Sequence, residues 1–360
     1  MTDLFDAMHA SSAFDLRVLY LEPSAPDTYW TQDNTRSYAK ILDGSYKRFL
    51  GARLHHNPNI LTELAANLGD ITVVLGYAGF SQQRVARWLC KHKKPWVFMG
   101  EVPGLESRGW LGRKLRSIAQ RPIHSAAGVS AVGSHAAEYY TSLTKGRVPV
   151  ASIPYVCNLT DFASNQTRSR ESSFNFLYCG QLIYRKGCDI LLNAFERVAL
   201  KYETARLTLV GEGPWRSELI EQIPSSLSNR IEFSGFQQPN KLPSFFHRAD
   251  AFVFPSRHDG WGVVVNQAIG AALPVITTRA VGASHDLVED GRNGFVVESE
   301  NVEQLANAME MLLKRKSLAA AFGDRSREIA KTITPEAATQ DWHQLLSESL
   351  DSSVRTITHN

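Results

Sequence analysis

Short β-branched and apolar runs alternate with stretches of helical spacing along the whole chain. In the first half, the runs at 17–21, 71–75, 96–99, 128–132 and 150–153 predict strands. Between them, 58–68, 82–92, 110–119 and 134–142 predict helices, the first with Asn57 as N-cap and Pro58 in its opening turn. A further helix is expected over 3–9. The second half repeats the scheme, with strands at 175–179, 206–210, 231–234, 251–254, 274–277 and 294–297. Helical spacing then runs from 302 to 350, ahead of a polar tail.

Strands that alternate with helices in this way build parallel sheets from βαβ units. The expected fold is α/β, with two Rossmann-like parallel-sheet domains facing an interdomain cleft. The length of 360 residues fits two domains. The first is placed at 1–160 and the second at 174–332, with the polar stretch 158–173 as the link. Residues 333–360 read as a C-terminal helix packing back on the first domain, plus the tail. Open α/β sheets take ligands at the carboxyl ends of their strands, so chemistry is sought in the loops there.

Composition narrows the function classes. A net charge of +3 argues against a dedicated nucleic-acid binder. The four cysteines lack CxxC or metal-ligand spacing, so neither zinc nor disulfides are expected, which fits a reducing cytosol. No apolar run is long enough to span a bilayer, and the acidic N-terminus is unlike a signal peptide. The expected location is cytoplasmic, with any membrane contact peripheral, at the inner face of the cell membrane.

Three stretches carry candidate chemistry. In 178–195 a strand ends at Gly180, Gln181 follows, and Arg185 and Lys186 precede a helix that starts near Gly187. Two cations at a helix N-terminus suit a diphosphate, although an ordinary surface basic pair would look the same. In 209–214, Gly211 and Gly213 allow a tight strand-to-helix turn, and the acidic residue of a dinucleotide fingerprint is missing. In 254–277, Ser256, Asp259, Gly260, Trp261, Gly262 and Val263 form a loop running into a helix, and Gln267 lies eight residues beyond Asp259. That is about two helical turns, so both can address one elongated ligand.

Together these stretches resemble the family 4 retaining glycosyltransferases of GT-B fold, of the bacterial polysaccharide-biosynthesis type, and the pattern runs from residue 14 to about 350. The resemblance implies transfer of a hexose from a nucleoside-diphosphate sugar to a glycan or polyprenyl-linked acceptor. Exopolysaccharide or lipopolysaccharide assembly is the implied setting. It implies no bound metal and no cofactor beyond the nucleotide-sugar co-substrate. By the same resemblance Lys186 binds the donor diphosphate, Asp259 the donor sugar, and Gln267 the ribose hydroxyls. Phe236 lies by the base, and Ser256 and Gly282 occupy matching loop positions. The family's second carboxylate is here Gln267, and its arginine after the first glycine is Gln181, with Arg185 a stand-in. An amide still bonds a diol, but each neutral bond contributes about 0.5–1.5 kcal/mol against about 1.5–3 for a charged one.

The first domain departs further. The family's opening strand and glycine-rich loop are not evident, and Glu101 follows the strand after which many members carry a histidine. Glu101 is a candidate for the acceptor site; the alternative is a loop carboxylate that caps or orients the next segment. The adjacent His55 and His56 do not face one ligand, so they do not suggest a metal. Residues 108–121 are basic and amphipathic, with Arg113, Lys114, Arg116 and Arg121 beside Trp110, Leu111, Leu115 and Ile118. They suit peripheral contact with anionic lipid, or a helix packed by its apolar stripe with a solvated basic face. Two rivals stand beside the transferase: a catalytically weakened or inactive relative that binds a sugar nucleotide or a partner, and an epimerase on the same architecture.

Overall fold

The computed structural model describes residues 1–23, 36–49, 52–104, 109–163 and 173–358. Arg108 and most of the expected link, 164–172, lie outside them. The chain divides into two compact units, Met1–Pro154 with Glu336–Asn360, and Tyr155–Pro335.

The first unit opens with α1 (Thr2–Ala10), β1 (Val18–Tyr20), β2 (Ala39–Ile41), β3 (Ser45–Phe49) and β4 (Ala52–His56). It continues through α2 (Ile60–Ala66), β5 (Thr72–Leu75), α3 (Phe80–Lys91), β6 (Trp96–Gly100) and α4 (Trp110–Gln120). Then come β7 (Gly128–Ala131), α5 (Ser134–Thr144) and β8 (Val150–Ser152). Strands β5, β6, β7 and β8 form a parallel sheet in sequence order. β6 and β7 are its buried centre, packed with Leu89, Ile123 and Tyr140. The strand expected at 17–21 is β1, and it pairs with β2 in a separate two-stranded parallel sheet. The β3–β4 antiparallel hairpin has no counterpart in the sequence reading, because its alternating residues are largely polar.

Asn57 is not the cap of α2; that position belongs to Asn59. Asn57 is instead a buried hub, 1% exposed, whose amide nitrogen donates to the carbonyls of Leu21 (2.9 Å) and Asp43 (3.2 Å). Its Oδ1 accepts from Ser81 Oγ at 2.9 Å. The side chain thus ties the loops after β1 and β2 to the segment that leads into α2.

The second unit comprises β9 (Phe174–Cys179), α6 (Cys188–Ala199), β10 (Ala205–Val210), α7 (Arg216–Glu221) and β11 (Ile231–Gly235). It continues with α8 (Leu242–His247), β12 (Ala251–Phe254), α9 (Val263–Gly270), β13 (Val275–Thr278), α10 (Ala283–Leu287) and β14 (Gly294–Val297). Helices α11 (Val302–Lys314) and α12 (Lys316–Ala330) follow, and α13 (Pro335–Thr358) groups with the first unit. There it lies against β7: a Cβ on Gly128 would fall 2.5 Å from Ser349 Oγ.

The six strands are parallel in the order β11-β10-β9-β12-β13-β14. The chain runs outward from β9 to one edge, returns, and runs from β12 to the other. This is the Rossmann strand order, and its reversal lies between β9 and β12. Both strands are buried, with Phe176, Tyr178, Phe252 and Phe254 among the largest enclosed side chains. Burying each such ring stabilises the fold by roughly 1.5–3 kcal/mol. The adjoining carboxyl ends of β9 and β12 are therefore held on a rigid base.

Candidate functional site at the strand reversal

The loop after β9 turns at Gly180 and makes one 3-10 turn over Tyr184–Lys186 before α6 begins. Gly187 joins the two in a left-handed conformation, φ 69°. A Cβ there would lie 2.1 Å from the Pro255 carbonyl oxygen, so conformation and space both demand glycine. The loop after β12 therefore sits directly on the loop after β9. Ser256 Oγ lies within hydrogen-bond distance of the Arg185 and His258 carbonyls (2.9 and 3.0 Å), and the Arg257 amide donates to the Arg185 carbonyl at 2.8 Å.

Across this junction the Lys186 ammonium pairs with the Asp259 carboxylate. The two side chains are only 13% and 14% exposed. Arg185 reaches the same carboxylate at 4.0 Å and donates to the His258 carbonyl at 2.9 Å. Lys186 also stands 5.0 Å from the centre of the Phe254 ring. Two cations and one carboxylate thus converge at the strand reversal, with α9 starting just beyond.

The entry to α9 is shaped by backbone packing. Gly262 precedes the helix at φ 91°. A Cβ on Gly282 would fall 2.2 Å from the Gly260 carbonyl oxygen, and the Asp259 amide donates to the Ala280 carbonyl at 2.9 Å. Val263 opens the helix, where amides point outward without intrahelical acceptors. The Trp261 side chain turns into the protein, 1% exposed, and its indole donates to Asn266 Oδ1 at 2.9 Å. Only its backbone is left to meet a ligand. Gln267 is half-buried on α9, and its Oε1 is enclosed with no hydrogen-bond partner. An unmet buried acceptor costs about 1–3 kcal/mol.

The remaining predicted residues fall into two groups. Gly213 lies in the loop after β10, where a Cβ would be 2.4 Å from the Leu182 carbonyl oxygen. The Leu182 amide donates to Glu212 at 2.9 Å, lacing this loop to the one carrying Gly180 and Gln181. Phe236 follows β11, at the sheet's edge. Glu101 belongs to the first unit, where its carbonyl accepts from the Tyr140 hydroxyl at 2.9 Å.

One contributor carries no motif signal of its own in the sequence. Arg257, two residues before Asp259, joins Asp189 of α6 by two bonds (2.8 and 2.7 Å) and donates to the Tyr184 carbonyl at 2.6 Å. Its Nε pairs with Glu300, and its guanidinium lies 3.9 Å from the Tyr184 ring centre. Burial pushes the Asp189 carboxyl up, but the hydrogen bond and charge of Arg257 outweigh it and hold it below its usual value. The only hint was an unusual basic residue inside a glycine-rich loop; its partners are 68 and 43 positions away.

Helix α4 is the second candidate surface. It packs inward through Gly112, Gln120 and the half-buried Arg116, whose guanidinium donates to the Gly104 carbonyl at 2.9 Å. Its large apolar side chains point outward instead: Trp110 is 70% exposed, Leu111 52%, Leu115 43% and Ile118 38%. Arg113, Lys114 and Arg121 are exposed beside them. No helix among the described residues is long and apolar enough to cross a membrane.

Residues 160–329 match the family model described as Glycosyl transferases group 1. A lipopolysaccharide core biosynthesis glycosyltransferase of Rhizobium meliloti is 30% identical over 170 residues, 47% of this chain and 48% of that one. The chain spans about half the length of the curated relatives it matches. Sucrose-phosphate synthase from Thermosynechococcus elongatus superposes with a TM-score of 0.73 at 19% identity, over 96% of this chain and 91% of that one. The Anabaena protein HepE, solved with UDP, gives 0.69 at 20% identity over 86% of each. The chain has the GT-B fold, and its second unit carries the match to the group 1 glycosyl transferases.

Proposed function

We propose that this protein is a retaining glycosyltransferase that moves a hexose from a nucleoside-diphosphate sugar to a glycan or polyprenyl-linked acceptor. The observation that carries the reading is the Lys186–Asp259 pair at the strand reversal, where Rossmann sheets take their ligands. Lys186 and Arg185 offer positive charge to a diphosphate, and the opening amides of α9 add oriented donors. Asp259 takes a hydroxyl of the donor sugar, and Gln267 meets the ribose diol with an amide that lacks a full set of partners.

In the reaction the bond from the anomeric carbon to the diphosphate oxygen breaks as the bond to the acceptor oxygen forms. The acceptor proton passes to the departing phosphate. Lys186 neutralises the charge that builds on that phosphate, a preorganised interaction stronger in the transition state than before it. Lipopolysaccharide or exopolysaccharide assembly is the proposed setting, supported by the lipopolysaccharide relative. The outward apolar and basic side chains of α4 suit an anionic membrane surface, where a lipid-linked acceptor would be found.

A thermal-shift panel of UDP-, GDP- and ADP-sugars tests the reading, because a ligand of the native state raises its melting temperature. The donor so found is then assayed for transfer, and the product's anomeric configuration is read by NMR. One sugar nucleotide that stabilises the protein and gives a retained linkage is the expected result. No stabilisation by any of them would overturn the proposal.

A further inference from the structure

We propose that Arg257 is a positioning residue that fixes the Lys186 ammonium for a diphosphate, an inference that rests on the donor-site reading above. The guanidinium is largely enclosed, its side chain 11% exposed, and its bonds converge on the segment that carries Lys186. One nitrogen donates to the Tyr184 carbonyl at 2.6 Å, and the Tyr184 ring covers the guanidinium face at 3.9 Å. The paired bonds to Asp189 tie the first turn of α6 to the same group. The Arg257 backbone amide holds the Arg185 carbonyl, at 2.8 Å. The residues on both sides of Lys186 are thus fastened to one side chain and its backbone.

The same segment carries the partner of Lys186. Asp259 is two residues beyond Arg257, and Arg185 donates back to the intervening His258 carbonyl. A shift of Arg257 therefore moves the ammonium and the carboxylate relative to each other. Glu300, reached through Nε, anchors the outer side from the turn after β14. Only a planar guanidinium fits this set. It supplies a two-point bond to a carboxylate, a third donor in the same plane for a carbonyl and a flat face for a ring. A lysine ammonium keeps the charge and loses the geometry, which separates positioning from simple charge.

The test compares wild type, Arg257→Lys, Asp189→Asn and Lys186→Ala as full-length proteins. UDP, GDP and ADP are titrated calorimetrically, and hydrogen–deuterium exchange is followed at the amides of 184–187. Arg257→Lys is expected to melt cooperatively, to exchange faster at 184–187 and to bind the nucleotide about tenfold more weakly, since small misplacements near a charged ligand are costly. Asp189→Asn should move both readouts in the same direction by less, and it carries the test if Arg257→Lys does not fold. Unchanged exchange and affinity in the folded variants would overturn the inference, as would faster exchange with affinity untouched. A wild type that binds none of the three nucleotides overturns the donor reading itself, and the inference with it.

Discussion

The two units use parallel sheets in different ways. In the second, the strand order reverses between β9 and β12, and their exits are joined by Gly187, Ser256 and Arg257. In the first, β5 to β8 succeed one another without reversal, and the exposed feature is the outward face of α4. A reversal leaves a crevice where two loops diverge, so charges can be gathered there from distant parts of the chain. An unreversed sheet has no strand reversal to gather charges at, and among the described residues its unit presents the exposed apolar and basic face of α4. The difference predicts that small changes at the reversal alter chemistry, whereas changes on α4 alter location.

The largest effect should come from Lys186→Ala. Removing the cation from the phosphate is expected to cut transfer roughly 10²–10³-fold. Single-turnover kinetics with melting unchanged checks it, and wild-type rates would refute the diphosphate assignment. Next is the α4 face. Trp110→Ser with Leu115→Ser should weaken sedimentation with phosphatidylglycerol vesicles by about tenfold or more, since each buried apolar side chain is worth about 1.5–3 kcal/mol. Binding to UDP or GDP in solution should not change, and a loss there would blur the contrast between the units.

Two changes should sharpen the reversal without abolishing it. Gln267→Glu replaces a neutral bond by a charged one and should hold or raise nucleotide affinity by up to about tenfold. Complete loss by calorimetry would remove Gln267 from the ribose site. Asp259→Asn frees Lys186 from its carboxylate, so affinity for UDP or GDP alone should rise a few-fold while transfer falls. A parallel fall in both would mean that Asp259 holds the site together and does not contact the sugar.

The smallest effect is on acid stability. The Asp189 carboxyl is held below its usual value near 3.8, so its stabilisation is complete above that value and is lost as pH falls through the lower folded one. Asp189→Asn should therefore flatten the stability decline below about pH 4. Melting curves taken across pH 2–6 would show it, and an unchanged acid limb would place the decline on other carboxylates.

The sequence exposed all six strands of the second unit's sheet. Strand β12 is a continuous apolar run because both of its faces are covered, and a run such as 251–254 needs no tertiary information to be seen. The places of Lys186 and Asp259, in the loops after β9 and β12, and of Gln267, within α9, were legible because those strands and that helix are. The first unit was harder. The polar β3–β4 hairpin carries little apolar alternation, and Asn57, which reads as a helix cap, is consumed by loop carbonyls.

By itself the chain determined the order of its elements, since local periodicity and glycine placement need only neighbours. It also determined which loops carry charge. Tertiary structure alone decided that β9 and β12 lie side by side, because strand order depends on crossovers that no local pattern records. It decided that Arg257 meets Asp189 and Glu300, and that the apolar side of α4 faces outward. Helical spacing shows that a stripe exists; only packing against the rest of the unit fixes which way it points.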